Sequence, residues 1–213
     1  PIFNIQGYIQ TLIDGGINDD KINMKYLQRT NKSVDRMINI VEDLEVISRL
    51  ETEDSQLEFQ PFNIVKLAQE VIEAFEMKAG QTNISLELYK ENQTDIVIGD
   101  RDKIQQVFMN LISNSIKYGK NNGTTSIKFY DMDNNMLIEV ADDGIGIEAD
   151  SLDRLFERFY RVDKNRSREI GGTGLGLAIV KHIINRHRGT LIIHSETNIG
   201  SKFSVYLKEN INI

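Results

Sequence analysis

The chain has 213 residues, of which 40% are hydrophobic and 27% are charged, and its formal net charge is −7 at pH 7. This composition is typical of a soluble globular protein, and the acidic balance argues against nucleic acid as a partner. The absence of cysteine excludes disulfides and thiolate metal sites. No apolar run reaches the length of a membrane span. Because the first residue is Pro1 rather than Met, we expect a fragment of a longer chain.

Residues 1–53 differ from the rest of the chain, because they contain no convincing strand pattern. Gly15 and Gly16 divide them into two predicted helices, residues 1–14 and 20–51. Apolar side chains recur at steps of three and four along both helices, as one buried face requires. Since two helices alone cannot bury such stripes, we predict that the hairpin pairs with a second copy in a dimeric four-helix bundle. The alternative is a hairpin that packs on its own downstream domain.

The acidic residues 51–55 have the composition of a hinge, and helix and strand patterns alternate after them. The predicted helices span residues 65–78, 100–118 and 173–187, with Asp100 as the cap of the second. The predicted strands span residues 57–62, 84–89, 95–98, 125–130, 136–141, 190–195 and 202–207. Because most strands come as hairpin pairs, we predict an α+β fold, a two-layer sandwich with a mixed sheet and helices on one face.

A glycine-rich turn that runs straight into an apolar helix is the most informative segment. Glycine lets backbone N–H groups approach a ligand, and a helix N-terminus adds unpaired donors and partial positive charge. The turn therefore predicts a phosphate cradle, although it lacks the Gly-Lys-Ser/Thr of a Walker loop and the preceding strand of a Rossmann fingerprint. A glycine turn before a packed helix is the alternative. The turn consists of Gly171, Gly172, Thr173, Gly174, Leu175 and Gly176.

Two asparagines lie on one face of the predicted helix 100–118. Asn110 and Asn114 are four residues apart, and asparagine is a poor helix former. Amide oxygens suit Mg²⁺, which takes few protein ligands and several from water and phosphates. Lys117 could meet a phosphate, and Tyr118 could lie against a base. The alternative is a solvated polar face.

An acidic residue follows directly after the predicted strand 136–141. Asp142 leaves the strand end with a nearly fixed direction, and Gly144 and Gly146 would let a flat group come close. A carboxylate that accepts a hydrogen bond from the exocyclic amine at position 6 of a purine distinguishes adenine from guanine, which has an oxygen there. A simple strand-ending turn is the alternative.

About thirty residues separate Ala141 from the glycine turn, and a loop of this length in a compact domain is usually functional or disordered. We predict one short amphipathic helix in it, residues 152–159, and glycines at both ends, where hinges of a lid belong. Arginine is a natural partner of a γ-phosphate, although a solvated basic loop is the alternative. The basic residues of the loop are Arg161, Lys164, Arg166 and Arg168.

Taken in order, these segments resemble the catalytic domain of sensor histidine kinases, within the ATPase superfamily shared with gyrase, the heat-shock chaperone ATPase and mismatch-repair proteins. Residues 110–118 match the N box, 142–147 the G1 box, 155–161 the F box and 172–177 the G2 box. The resemblance covers residues 57–208. It departs from the usual pattern at Asp143, where asparagine normally follows the adenine-binding aspartate.

The resemblance implies that residues 57–213 form a domain that holds ATP under a mobile lid. It places Mg²⁺ on Asn114 with Asn110 nearby, adenine on Asp142, and Lys117 and Arg161 near the phosphates. Asn110 and Arg161 are the expected catalytic residues. The expected nucleotide-binding residues are Asn114, Lys117, Tyr118, Asp142, Gly144, Gly146, Gly172, Thr173, Gly174, Leu175 and Gly176.

The hairpin of residues 1–53 resembles the dimerisation and phosphotransfer module of the same family. There the acceptor histidine opens a His-Glu-x-x-x-Pro-Leu/Ile motif, and this chain begins at the end of that motif, Pro1 and Ile2. The acceptor would lie upstream, so the fragment should bind ATP without phosphorylating itself. The resemblance implies a cytoplasmic kinase core, attached to an inner membrane only through upstream segments. It also implies homodimerisation through residues 1–53 and a response-regulator receiver domain as partner. A nucleotide-blind dimeric scaffold and another ATPase of the superfamily are the alternatives.

Overall fold

The computed structural model of the protein describes residues 1–51, 57–132, 135–162 and 172–208. The helices are α1 (Ile2–Ile13), α2 (Asn23–Glu51), α3 (Ile64–Gln81), α4 (Arg101–Tyr118), α5 (Ala149–Leu152) and α6 (Gly176–Arg186). The strands are β1 (Gln60–Asn63), β2 (Ser85–Lys90), β3 (Ile96–Gly99), β4 (Thr124–Met132), β5 (Asn135–Asp142), β6 (Thr190–Glu196) and β7 (Gly200–Lys208).

The chain reverses between α1 and α2 at the two predicted glycines. Gly15 has a φ of +112°, and a short 3₁₀ turn, Gly16–Asn18, follows it. Tyr8 of α1 and Tyr26 of α2 then lie with their ring centroids 5.6 Å apart. The predicted helical hairpin is therefore confirmed.

Five strands form the main sheet in the order β2-β4-β5-β7-β6. β2 and β4 run parallel, whereas the other neighbours pair antiparallel, so the sheet is mixed. The predicted α+β class is confirmed. β1 and β3 pair antiparallel as a separate two-stranded sheet. This small sheet does not follow from the strand patterns, because alternation does not show which strands pair.

The core lies between the main sheet and helices α3, α4 and α6. Ile127 and Phe129 of β4 are fully buried, and Phe108 and Ile112 of α4 are buried against the same cluster. The rings of Phe108 and Phe129 lie 6.4 Å apart. Each fully buried side chain of this size contributes about 1.5–3 kcal/mol, so this interface fixes α4 and its polar face relative to the ends of the strands.

The last turns of α2 belong to the same core. Ile47 and Leu50 are 1% and 3% exposed. Arg186 of α6 donates a hydrogen bond to the Leu50 carbonyl oxygen over 3.2 Å, and Arg158 forms an ion pair with Glu51. This end of the hairpin packs on the downstream domain, as the alternative interpretation of the sequence held.

Outside the last turns of α2, the hairpin has an apolar stripe on its surface. Ile9 of α1 is exposed, and so are several apolar side chains of α2, namely Met24, Leu27, Ile38, Val41 and Leu44. Dimerisation through residues 1–53 remains a prediction. Among the described residues, no helix combines the length and apolar composition that crossing a bilayer would require.

Some predicted boundaries differ from the observed ones. The short helix α5 covers Ala149–Leu152 and gives way to turns, so the prediction of a helix over residues 152–159 is wrong. Helix α6 begins at Gly176 rather than at residue 173, because Gly172 and Gly174 have φ values of +115° and +77° that a right-handed helix does not admit. Most of the predicted hinge lies outside the described residues.

Candidate functional site

The C-terminal end of β5 carries the predicted base-binding carboxylate. Asp142 accepts a hydrogen bond from the Gly144 backbone N–H over 2.9 Å and another from the Ser201 backbone. Burial raises the pKa of Asp142, the two backbone hydrogen bonds oppose that rise, and the neighbouring charge of Asp143 adds to it. The side chain is therefore directed and shielded, with few internal partners to compensate its charge.

Both carboxylate oxygens of Asp143 have partners within the fold. Its Oδ1 accepts a hydrogen bond from the Thr124 backbone N–H over 2.9 Å, and its Oδ2 lies 3.1 Å from Lys120 Nζ. The residue that departs from the family pattern thus caps the start of β4. Lys120 is the ion-pair partner of its carboxylate.

The predicted glycines after β5 lie against other parts of the backbone. The N–H of Ile145 donates to the Tyr118 carbonyl oxygen over 3.1 Å, so the end of α4 and this turn are joined. A Cβ at Gly144 would collide with that same carbonyl oxygen, and one at Gly146 would collide with the Glu196 carbonyl oxygen. Close packing therefore accounts for both glycines, and it brings Tyr118 next to the Asp142 turn.

The turn before α6 gathers the predicted phosphate-binding residues. Arg161 Nη1 donates to the Gly172 carbonyl oxygen over 2.8 Å. An ideal Cβ at Gly172 would lie 3.7 Å from Lys117 Nζ and 3.9 Å from an Arg161 nitrogen. Gly174 accepts a hydrogen bond from the Phe159 backbone N–H over 2.9 Å. Two cations from separate segments thus converge on one glycine.

Thr173 and Leu175 shape the start of α6. Leu175 is fully buried, and its backbone N–H donates to Thr173 Oγ1 over 3.2 Å. The Thr173 hydroxyl in turn donates to the Asp43 carboxylate of α2 over 2.6 Å. Thr173, a predicted nucleotide-binding residue, therefore contacts the hairpin through its hydroxyl.

Lys117 lies in a confined cationic environment at the end of α4. Burial is the main cause that lowers the pKa of Lys117, and the charges of Lys78 and Arg161 lower it further, while Asp43 raises it. Three cations near one carboxylate form an arrangement in which a polyanion would be strongly stabilised.

The paired asparagines of α4 are half-buried. Asn110 Nδ2 donates to the Gln106 carbonyl oxygen over 3.0 Å, and this leaves Oδ1 directed at Gly176, whose ideal Cβ would lie 2.6 Å from it. Within the described ranges, no group of three or more acidic, histidine or cysteine side chains could hold a metal. A magnesium ion here would fit amide oxygens together with phosphate oxygens, the donor set that this ion accepts.

Four of the basic or glycine residues predicted from sequence lie outside the described residues: Lys164, Arg166, Arg168 and Gly171. Two residues near the site were missed, Asp43 and Lys78. Asp43 stands four and seven residues before Ile47 and Leu50, so a carboxylate on the core-facing stripe of α2 was the available signal.

A family model described as histidine kinase-, DNA gyrase B-, and HSP90-like ATPase matches residues 99–211. The chain belongs to this ATPase family. The match contains the Asn110 face, the Asp142 turn and the glycine turn before α6, which are the segments that the fold brings together. A nucleotide-blind scaffold gains no support from it.

Curated relatives that match nearly the whole chain include a sensor kinase. Sensor protein kinase WalK of Staphylococcus aureus is 34% identical over 211 residues, which cover 97% of this chain and 50% of the relative. WalK of strain JH9 is also 34% identical, with 34% of its length covered. The chain therefore spans half or less of these curated relatives.

Two solved structures extend the comparison to the whole fold. Acinetobacter baumannii histidine kinase AdeS superposes with a TM-score of 0.79 at 30% identity, covering 99% of this chain and 96% of that one. Histidine kinase ThkA, solved in complex with response regulator protein TrrA, has a TM-score of 0.76 at 25% identity, covering 99% and 58%. The predicted histidine kinase catalytic domain is confirmed.

Proposed function

We propose that this chain binds Mg²⁺-ATP as the catalytic core of a sensor histidine kinase. In the whole protein, the γ-phosphoryl group passes from ATP to a histidine of the hairpin module and then to an aspartate of a response regulator. The observation that carries the proposal is the convergence of Lys117 and Arg161 on Gly172, beside the asparagine face of α4. The segments that meet there are far apart in the sequence, and ATP binding explains why they meet.

Each end of the nucleotide has residues that suit it. The Asp142 carboxylate accepts a hydrogen bond from the exocyclic amine of adenine, and its burial strengthens that bond. Tyr118 lies against the nucleoside, at the join between α4 and the Asp142 turn. Lys117 and Arg161 attract the phosphates, and the backbone of residues 172–176 accommodates them.

Asn110 and Asn114 are the residues that would hold magnesium through their amide oxygens. Mg²⁺ in this position supplies charge neutralisation and orientation of the phosphate chain. Catalysis by the protein then consists mainly of positioning, with Arg161 placed by its hydrogen bond to Gly172.

The hairpin supplies the proposed partner surfaces. Its exposed apolar stripe fits a second copy of the chain, because four helices would bury what two leave on the surface. The complex of ThkA with TrrA supports a receiver domain as the second partner. Curated relatives that are two or more times longer than the matched region leave room for upstream segments that carry a membrane anchor and the acceptor histidine.

The first test is calorimetric titration with Mg²⁺-ATP and, in parallel, with Mg²⁺-GTP. We expect saturable binding of one ATP per chain and much weaker binding of GTP. Absence of ATP binding would refute the proposal. The second test uses a longer chain that carries the upstream histidine: radioactive ATP should label it, and replacement of that histidine by glutamine should abolish the label.

A further inference from the structure

A carboxylate of the hairpin contacts the proposed nucleotide site. Asp43 of α2 accepts a hydrogen bond from Thr173 Oγ1 over 2.6 Å, although 130 residues separate the two in sequence. Asp43 is half-buried, and burial raises the pKa of Asp43, whereas the Thr173 hydrogen bond and the charge of Lys117 lower it. The contact is thus built into the domain interface and shielded from water.

The Thr173 hydroxyl can donate one hydrogen bond, and Asp43 accepts it. Its oxygen also accepts the Leu175 N–H, so both functions of the hydroxyl are in use. A phosphate oxygen that approached Thr173 could accept a hydrogen bond from this hydroxyl only after the bond to Asp43 had broken. Hydrogen bonding therefore makes the two partners of Thr173 mutually exclusive.

Charge leads to the same exclusion. In the described part of the chain, the charges that shift the pKa of Lys117 belong to Lys78, Arg161 and Asp43. Asp43 is the anion of this group, in the place where a triphosphate would bring several negative charges. Like charges in a partly buried site repel strongly, because water screens them poorly.

We propose that Asp43 is an internal competitor of the ATP phosphate chain, so that docking of the hairpin on Thr173 and binding of the triphosphate oppose one another. This inference rests on the proposed function. By thermodynamic reciprocity, the factor by which the Asp43 contact weakens ATP binding equals the factor by which ATP weakens the contact. The contacts of Ile47, Leu50 and Glu51 would keep the end of α2 attached to the domain while the helical turn that contains Asp43 moves away from Thr173.

Substitution of Asp43 tests the proposal by calorimetric titration of the whole chain. Asp43→Asn keeps an acceptor for Thr173 and removes the charge, whereas Asp43→Ala removes both. We expect ATP to bind about five- to fifty-fold more tightly to the alanine variant, with the asparagine variant in between. Adenosine, which lacks phosphates, should bind all forms equally. Asp35→Asn, an exposed acid of the same helix, is the control of equal charge change and should match the wild type.

A second readout follows the contact itself. Hydrogen exchange of the Leu175 amide in the nucleotide-free protein should accelerate in Asp43→Ala, and addition of Mg²⁺-ATP to the wild type should expose residues 41–44. Thermal unfolding of each variant identifies any loss of fold.

The outcomes separate the two proposals. If the wild type bound neither ATP nor adenosine, the proposed function would be overturned, and this inference with it. Binding of ATP by the wild type with equal or weaker binding by both Asp43 variants would overturn the inference alone. Equal tightening of ATP and adenosine binding would also overturn it, because the phosphates would then play no part.

Discussion

The Asp142 carboxylate and the Gly144 backbone N–H form a hydrogen bond of 2.9 Å across two residues, an Asx-type turn that fixes the direction of the side chain. An asparagine at this position could accept the same hydrogen bond, so the turn would survive while the charge was lost. The base-binding role of Asp142 can therefore be tested without disturbing the local backbone.

We expect Asp142→Asn to weaken ATP binding about ten- to a hundred-fold, because a charge-assisted hydrogen bond contributes about 1.5–3 kcal/mol. Calorimetric titration with Mg²⁺-ATP measures the change. Asp150→Asn, at an exposed position of α5, is the matched control and should bind like the wild type. Unchanged affinity in Asp142→Asn would reject the contact with adenine.

Replacement of Asn114 tests the proposed magnesium site. ATP should bind the wild type more tightly with Mg²⁺ than with a chelator, and Asn114→Ala should lose that difference, about ten-fold or 1.4 kcal/mol. In a longer chain with the acceptor histidine, the same variant should lose most phosphotransfer. Asn121→Ala, in the exposed loop after α4, is the control. A retained magnesium effect in Asn114→Ala would assign the ion to other groups.

The buried His187 makes stability depend on pH. Its Nε2 accepts the Asp100 backbone N–H over 3.0 Å, so its proton is on Nδ1, which lies 2.8 Å from the Ile183 carbonyl oxygen. Burial lowers the pKa of His187, and a second proton would break the bond to Asp100. The folded state thus favours the neutral ring.

We expect the free energy of unfolding to fall as pH drops below about 6.5, the ordinary pKa of histidine in the unfolded chain. The unfolded state then binds a proton that the folded state resists, at a cost of up to about 1.4 kcal/mol per pH unit. Urea unfolding of the wild type and His187→Gln between about pH 7.5 and pH 5.5 measures the difference. If the free energy of unfolding changed with pH by the same amount in the wild type and in His187→Gln, His187 would have the same pKa in the folded and unfolded states, and this prediction would be wrong.

Local patterns predicted most elements, because each depends on residues close in sequence. Apolar periodicity located α4, and Asp100 caps it by accepting the Lys103 backbone N–H over 3.1 Å, as predicted. The start of α6 was predicted three residues early, since periodicity does not register the positive φ values of Gly172 and Gly174. The pairing of β1 with β3 depends on contacts between distant residues, and alternation gives no information about them.

The components of the site were predictable, and its connection to the hairpin was not. The roles of Asn110 and Asp142 were predictable from residues close to them in sequence. Asn110 belongs to an amide pair on one helix face, and Asp142 is a carboxylate at the end of a strand. Asp43 looks like one acidic residue among many on α2 until the fold places it against Thr173. An apolar stripe on a helix indicates that another surface packs against it. Which surface does so depends on tertiary structure.

Gly146 provides a test of the close packing behind the site. Its φ of +65° lies in the left-handed region, and a Cβ there would collide with the Glu196 carbonyl oxygen. Gly146→Ala combines backbone strain with a clash against rigid backbone, so we expect a loss of about 2–4 kcal/mol in unfolding free energy. ATP binding should weaken as well, because the Asp142 turn would shift.

Gly80→Ala is the matched control for this glycine substitution. Gly80 lies within α3, and no atom comes within 4 Å of its ideal Cβ. Alanine is the better helix former, so this variant should gain up to about 1 kcal/mol. Urea unfolding measures both variants. If Gly146→Ala were as stable as the wild type, the turn would have room to adjust, and close packing would no longer explain why glycine occupies this position.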